Sequence, residues 1–521
     1  ADVTFADGAD IITASAGTSN TRVGVNAGNS IASGGNYNVV IGDEAGTALT
    51  TGDSNIAIGF EALSTEDANG NNVAVGYRAL KTLNAGADSY NVAVGSTAGT
   101  AITTGIRNTL IGGVAGLVLT DADFNVAIGM NALSTDTLGS KSTAVGTDAL
   151  QTQNFTSATD SFNTAVGYNA GNAVTTGLRN TLIGGLAGDA LTDADDNVAI
   201  GQQSLSSDTL GSGAVAIGHN ALFSQNFTSA TTNYNVAIGY KTGEAVTTGV
   251  ENTLIGGLAG DALTVGVRNV AVGKGALTTD VGGNKSVAIG HSALQTQNLG
   301  ASSTDAFNTA VGYNAGAAVT TGVKNTLIGS AAGDSITDAD LNVAVGYSAL
   351  ATNQLGSSSV AIGTSALETQ NPSSAASMLN TAVGHSAGQA VTTGIQNTFV
   401  GGLAGDATDD GAENVAVGYA ALSANCGNGN GAFGYASLFI CTGQFNTAVG
   451  TAAGSAVQGG SNNLFLGKDT GITGSPGGEI VNGDNEIVLG DENIGEAHIQ
   501  VDWTVASDER DKTDFTALDL G

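Results

Sequence analysis

The sequence predicts an all-β protein, a parallel β-roll solenoid assembled as a homotrimer, and three observations lead there. First, a Gly that closes a short β-branched stretch recurs at Gly24, Gly42, Gly59, Gly76, Gly95, Gly112, Gly129, Gly146 and onward to Gly467, 26 times, usually 17 residues apart. A fixed period of this kind marks a solenoid, whose units cannot bury their apolar faces alone. Second, the stretch before each Gly is apolar on both sides: in N-T-A-V-G-Y-N-A-G, from Asn163 to Gly171, Thr164 and Val166 point one way and Ala165 the other. Such a strand needs cover on both faces. The coil supplies one cover, and the same strand of a neighbouring copy most simply supplies the second. Third, 79 Gly against 14 Phe, 10 Tyr and one Trp in 521 residues exclude a thick core. Thin rungs with ladders of Ala, Val and Ile need no large side chains, and a total of two Pro agrees with strands paired throughout.

Residues 1–20 form a weakly patterned lead-in, with V-T-F and I-I-T as short strand candidates. Residues 21–470 are the array. Most rungs place Asn four residues before the closing Gly (Asn91, Asn108, Asn125, Asn163, Asn180, Asn197), then a three-residue strand, then a turn. Three residues after the Gly the side chain is small (Ala98, Ala115, Ala132, Ala149, Ala170, Ala187, with Ser204 and Thr242 as exceptions), which predicts a close approach of backbones. The following residue reads Gly99, Gly116, Leu133, Leu150, then Gly171, Gly188, Leu205, Leu222, then Gly243, Gly260, Leu277, Leu294. Four rungs therefore make a block of about 72 residues; six blocks run from Gly24 to Gly434, and two further rungs end at Gly450 and Gly467.

The fourth rung of the first five blocks carries extra residues: Leu80 to Tyr90, Leu150 to Phe162, Leu222 to Tyr234, Leu294 to Phe307 and Leu367 to Leu379. Insertions in a solenoid leave as loops on one face. These loops are expected to be the lateral contact surface, recurring every 19 Å or so along a rod of about 125 Å. Beyond Gly471, G-S-P-G-G is a turn, and Glu486 to Gly490 and Ala497 to Val505 read as longer alternating strands of a short β stem over residues 471–506. Residues 507–521 are the most charged segment. Ala1 stands first without Met, as expected of a processed or trimmed product.

The net charge is -32, with 14 Lys and Arg scattered singly. Nucleic acid requires a basic face and is excluded as a partner. No run of 18 apolar residues exists, so membrane insertion through a helix is not expected. Cys426 and Cys441, one rung apart where the rung is 16 residues long, stand nearly one above the other; a disulfide and two small buried thiols are both open. The Asp-rich turns Asp121 and Asp123, Asp193, Asp195 and Asp196, and Asp338 and Asp340 offer alternate carboxylates to Ca²⁺, or are solvated turns; no EF-hand pattern is present, and no cofactor is expected. His219, His291 and His385 each follow a closing Gly, where a surface position is expected over a metal site on a trimer axis. Asn154-Phe-Thr and Asn226-Phe-Thr are glycosylation sequons only in a eukaryotic secreted protein.

Rungs such as Ser286 to Gly290, S-V-A-I-G, resemble the repeats of trimeric autotransporter adhesin heads. The resemblance spans about 450 residues and implies a left-handed roll packed as trimers. Ser507 to Lys512, S-D-E-R-D-K, followed by T-D-F, resembles the junction ahead of the self-cleaving intramolecular chaperone of phage endosialidases, tail spikes and tail fibres. That resemblance implies a single-turnover cut between Ser507 and Asp508, with Ser507 as nucleophile assisted by Lys512, and a chaperone of which residues 507–521 would be the truncated start. The expected function is a phage fibre of the virion, extracellular, both rigid shaft and host-recognition element, with a host cell-surface glycan or protein as receptor and virion attachment proteins as partners. A bacterial trimeric adhesin or self-assembling extracellular filament is the alternative. A repeat-scaffold enzyme is disfavoured, because the acids are spread one turn at a time.

Overall fold

The computed structural model describes residues 16–496 and 498. Among these there is no helix. The chain winds as a β-solenoid whose main sheet has 27 strands, from Thr21–Val23 to Ile487–Leu489. Each strand is three residues long and pairs in parallel with the strand of the rung on either side, as Thr164, Ala165 and Val166 do with Thr181, Leu182 and Ile183.

Two side-chain columns fix this coil. The Asn ahead of most strands is buried and bridges rungs: Asn108 takes the Asn91 Oδ1 on its backbone N–H at 2.9 Å and donates from Nδ2 to the Ala122 carbonyl at 2.8 Å. In the next rung Asn125 N–H donates to Asn108 Oδ1 in turn. Buried amides satisfied in this way stabilise the coil by about 1 kcal/mol per bond. The closing Gly is a steric necessity: Gly112 has φ 138°, and a Cβ there would stand 2.3 Å from the Gly129 carbonyl oxygen. No other residue fits both conditions.

The four-rung code is a code of core volume. From the second strand on, the middle residue of each strand of the main sheet is buried, as is the Ala three residues past the closing Gly. Where the middle residue is large, as Leu110, the positions four past the closing Gly on either side are Gly99 and Gly116, and a Cβ there would meet Leu110 methyl carbons at 2.7 and 2.9 Å. In the third and fourth rungs of a block, where it is Ala, as Ala127 and Ala144, that position is Leu133 or Leu150, both fully buried; a first rung such as that of Ala93 keeps Gly99, beside Leu110 of the next rung. Leu133 and Leu150 adopt φ of 51° and 47°, a conformation costing about 1–2 kcal/mol, offset by full burial.

Most of each insertion in the second to fifth blocks is bound to the roll rather than projecting from it. Thr159–Asp160 pairs in parallel with Gly139–Ser140 of the previous rung, and the same is seen at Thr231–Thr232 with Gly211–Ser212, Thr304–Asp305 with Gly283–Asn284, and Ala376–Ser377 with Gly356–Ser357. Phe155 and Phe227 are buried beneath, leaving short exposed tips such as residues 156–158. At the C-terminal end, the expected stem strand from Glu486 is instead a further rung: Ile487–Leu489 lies on Leu464–Leu466 in the same parallel register. The insertion between them, residues 468–486, had hidden the period.

Candidate functional site

The outward side of the main sheet is the dominant surface feature. Its two columns, the first and third residues of every strand, hold Val, Ile and Thr, with Leu, Phe and one Gly only in the last four rungs. Across 27 rungs these columns contain no charged residue, in a chain carrying 14 basic and 46 acidic ones. The coil leaves them half-exposed: Ile111 and Ile183 are each 38 % accessible, although the residue between their column and its neighbour is fully buried. A continuous apolar strip of this length is far larger than the patches monomers expose.

Both rims of the strip are exposed columns. On one side the residue before the Asn, or before the Ser that replaces it, adopts a left-handed conformation in rung after rung, and over six rungs it alternates aromatic with cation: Tyr90, Arg107, Phe124, Lys141, Phe162, Arg179. Arg107 lies over the Phe124 ring at 5.3 Å and Lys141 over Phe162 at 5.2 Å. Acids beside them neutralise several cations, Lys141 pairing with Asp160 and Arg179 with Asp196; the Arg179 hydrogen bond holds the Asp196 carboxyl below its usual range. On the other side the residue after the closing Gly supplies stacked rings, His219 on Tyr240, His291 on Tyr313 and Tyr419 on Tyr435. Two of the three histidines singled out in the sequence are thus stacking partners; His385 is exposed.

The Asp-rich turns tie rungs together. Asp123 and Asp195 accept the backbone N–H of Ile106 and Leu178 at 2.8 Å, Asp340 that of Val323 at 2.7 Å, and Asp121, Asp193 and Asp338 each take a Thr hydroxyl of the preceding rung. Their charge is spent on the neighbouring rung, and among the described residues no three His, Cys, Asp or Glu side chains converge for a metal. Asn154 and Asn226 accept hydroxyls from Thr137 and Thr209. The disulfide is not formed: Cys426 and Cys441 are buried free thiols, and burial pushes Cys441 up to about 11. Ser507, Asp508 and Lys512, with residues 499–521, lie outside the described residues.

A polar unit that the sequence reading missed lies beneath the insertions. Asp136 is fully buried, accepting Gly139 N–H at 3.0 Å, Phe155 N–H at 3.1 Å and Gln153 Nε2 at 2.6 Å; Gln153 also reaches Ser142 and accepts Asn163 Nδ2. Asp208 with Gln225 and Asp280 with Gln297 repeat it, and burial raises the Asp280 carboxyl above its usual range. In the fifth block Asn353 replaces the Asp, binding only Gly356, and Gln370 Nε2 is left without a partner. The sixth block puts Cys426 and Cys441 near these positions. Seven residues past the closing Gly, Asp then Gln at a 72-residue repeat was the available signal.

The sixth block also carries a hollow of about 340 Å³ lined by Leu403, Tyr419, Ala420, Ser423, Tyr435 and Phe439, among others. Neither a comparison with protein-family models nor one with curated proteins gave a match.

Proposed function

We propose that the chain is the shaft of a trimeric fibre of the bacteriophage tail-fibre kind, three copies packing their outward strand faces around one axis and presenting their rims and insertion tips to a host cell surface. The observation that supports this is the uncharged strip of Val, Ile and Thr running over 27 rungs. Burial of apolar surface stabilises association by about 25 cal/mol per Å² before ordering costs, so a strip repeated at every rung offers far more than a local contact. Another copy of the same chain fits it best, because only an identical rise per rung keeps the columns in register along the whole length. Each face is two columns wide, narrow enough for three left-handed rolls to close on a common axis. In this arrangement virion proteins hold the ends of the rod, and a glycan or protein of the host is met along its sides.

Electron microscopy of the purified chain tests the reading. Rods about 125 Å long with a three-lobed cross-section are expected from 27 rungs at strand spacing. Single thin coils, or broad sheets formed by side-by-side association, contradict it.

A further inference from the structure

In the sixth block the rim forms an aromatic hollow. Tyr419 and Tyr435 stack with ring centroids 5.7 Å apart and planes 12° from parallel. Both stay open to solvent, at 53 % and 58 %, and Phe439 across from them is 43 % exposed. The Tyr419 ring lies against Gly402, where a Cβ would stand only 3.5 Å from it, so no side chain of that rung covers its outer face. Ala420 and Ala436 keep the floor low, and Ser423 reaches the floor with its hydroxyl held by donation to Asp406 Oδ1 at 2.5 Å. That bond leaves the Ser423 lone pairs to accept from a ligand. Five residues past the closing Gly other rungs have Gln151, Gln295 or Gln389, the third block has Phe223, and here the residue is Phe439.

From this geometry we infer that the hollow is a binding site for a neutral pyranose sugar of a surface glycan. The chemistry selects that class. Aromatic rings with hydroxyls at their edges match the apolar C–H faces and polar rim of a sugar ring, and mostly apolar pockets with a few placed polar groups are how small ligands are held. No cation lines the hollow, so nothing offsets the charge of a sialic or uronic acid in a chain of net charge -32. The two tyrosines are close to parallel, not a box, and cannot surround a quaternary ammonium group. The inference rests on the receptor-recognition reading for what the sugar belongs to, and names the chemistry of that receptor.

The repeat itself supplies variants that preserve the coil. Tyr419→Ser installs the residue found at Ser96 and Ser330, and Phe439→Gln the residue found at Gln151, Gln295 and Gln389. The full chain is titrated, with saturation-transfer NMR, against the methyl glycosides of glucose, galactose, mannose, N-acetylglucosamine and N-acetylgalactosamine, and against N-acetylneuraminic acid and choline. Transfer to ring C–H protons of at least one neutral sugar is expected, weakened about tenfold or more in each variant at unchanged circular dichroism. Absence of transfer to every neutral sugar, transfer that survives both variants, or preference for N-acetylneuraminic acid or choline overturns the site. Light scattering on the same sample separates the two readings: a trimer that binds no sugar sinks only the site, and a monomer that binds one sinks only the fibre.

Discussion

If the four-rung pattern encodes core volume, its two halves should be interchangeable only as pairs. In the rung closed by Gly184 the large residue is Leu182 and the small one Gly188, whose added Cβ would stand 2.7 Å from Leu182 Cδ2 and 2.8 Å from Leu191 Cδ1. Leu182→Ala removes a fully buried side chain and should cost about 2–5 kcal/mol. Gly188→Leu should cost about 1–3 kcal/mol of overpacking, together with about 1–2 kcal/mol for a non-Gly residue at φ 56°. The double variant recreates the pairing of Ala199 with Leu205 one rung on, where Leu205 sits at φ 53° and is fully buried. It should therefore lose less than the sum of the single changes by about 2 kcal/mol, a coupling typical of residues sharing one space. Because the coupled changes lie in adjacent rungs of a long array, hydrogen exchange of the amides from Thr181 to Leu205 reads them most directly. Additive losses in the double variant would refute the volume code.

Three further outcomes follow from the same structure, and a fourth from the resemblance at Ser507 to Lys512. Asp136→Ala should orphan the Gly139 and Phe155 N–H groups and Gln153 Nε2, costing about 3 kcal/mol or more at roughly 1–3 per group; hydrogen exchange should rise over residues 136–163, and unchanged protection would show the unit to be idle. Ala170→Leu, at a fully buried position, should overpack its rung by about 1–3 kcal/mol per chain, and an unchanged melting temperature would argue against it. Burial raises the carboxyls of Glu66, Asp189, Asp261, Asp280, Asp334 and Asp406. The folded state thus keeps these protons where the unfolded chain has lost them, so their stabilisation is full below the ordinary carboxylate range and lost as pH rises through the folded values. The depressed carboxyls Glu61, Asp196, Glu244, Asp305 and Asp491 work in the opposite sense but are exposed or partly exposed and screened. The melting temperature at pH 5 should equal or exceed that at pH 7; a steady fall over that interval contradicts this balance. Finally, in the full-length protein Ser507→Ala should abolish any cut between Ser507 and Asp508, and cleavage persisting in that variant rules out the nucleophile.

The coil was legible because its two strictest demands fall on single residue types. Only Gly fits the collision of Gly112 with Gly129, and Asn alone offers both an acceptor for the next rung's N–H and a donor for a carbonyl. The alternation of Gly and Leu was visible as a pattern but not as a cause, since the partner of Gly99 is Leu110, eleven residues on and in a different rung. The insertions were misjudged for a related reason. Length variation reads as an exposed loop, whereas Asp136 and Gln153, which fasten the insertion, lie 17 residues apart and are polar types ordinarily assigned to the surface. Ser142, Ser286 and Ser359 stand where other rungs have Asn, and the neighbouring Gln takes over part of the lost bonding. The hollow at Tyr419 is not legible because tyrosine after the closing Gly is common in the repeat, and the shape depends on residues of neighbouring rungs, Gly402, Ala436 and Phe439 among them.

Sedimentation equilibrium of the intact chain tests the central claim most directly, with a variant carrying Ile183→Asn, Ile255→Asn and Ile328→Asn in one outward column beside it. At micromolar concentration the unaltered protein should have three times the 50.8 kDa chain mass, and the variant should dissociate toward 50.8 kDa while keeping its β circular dichroism. A stable 50.8 kDa species for the unaltered protein, or a trimer indifferent to the three substitutions, would mean that the strip is not what joins the chains.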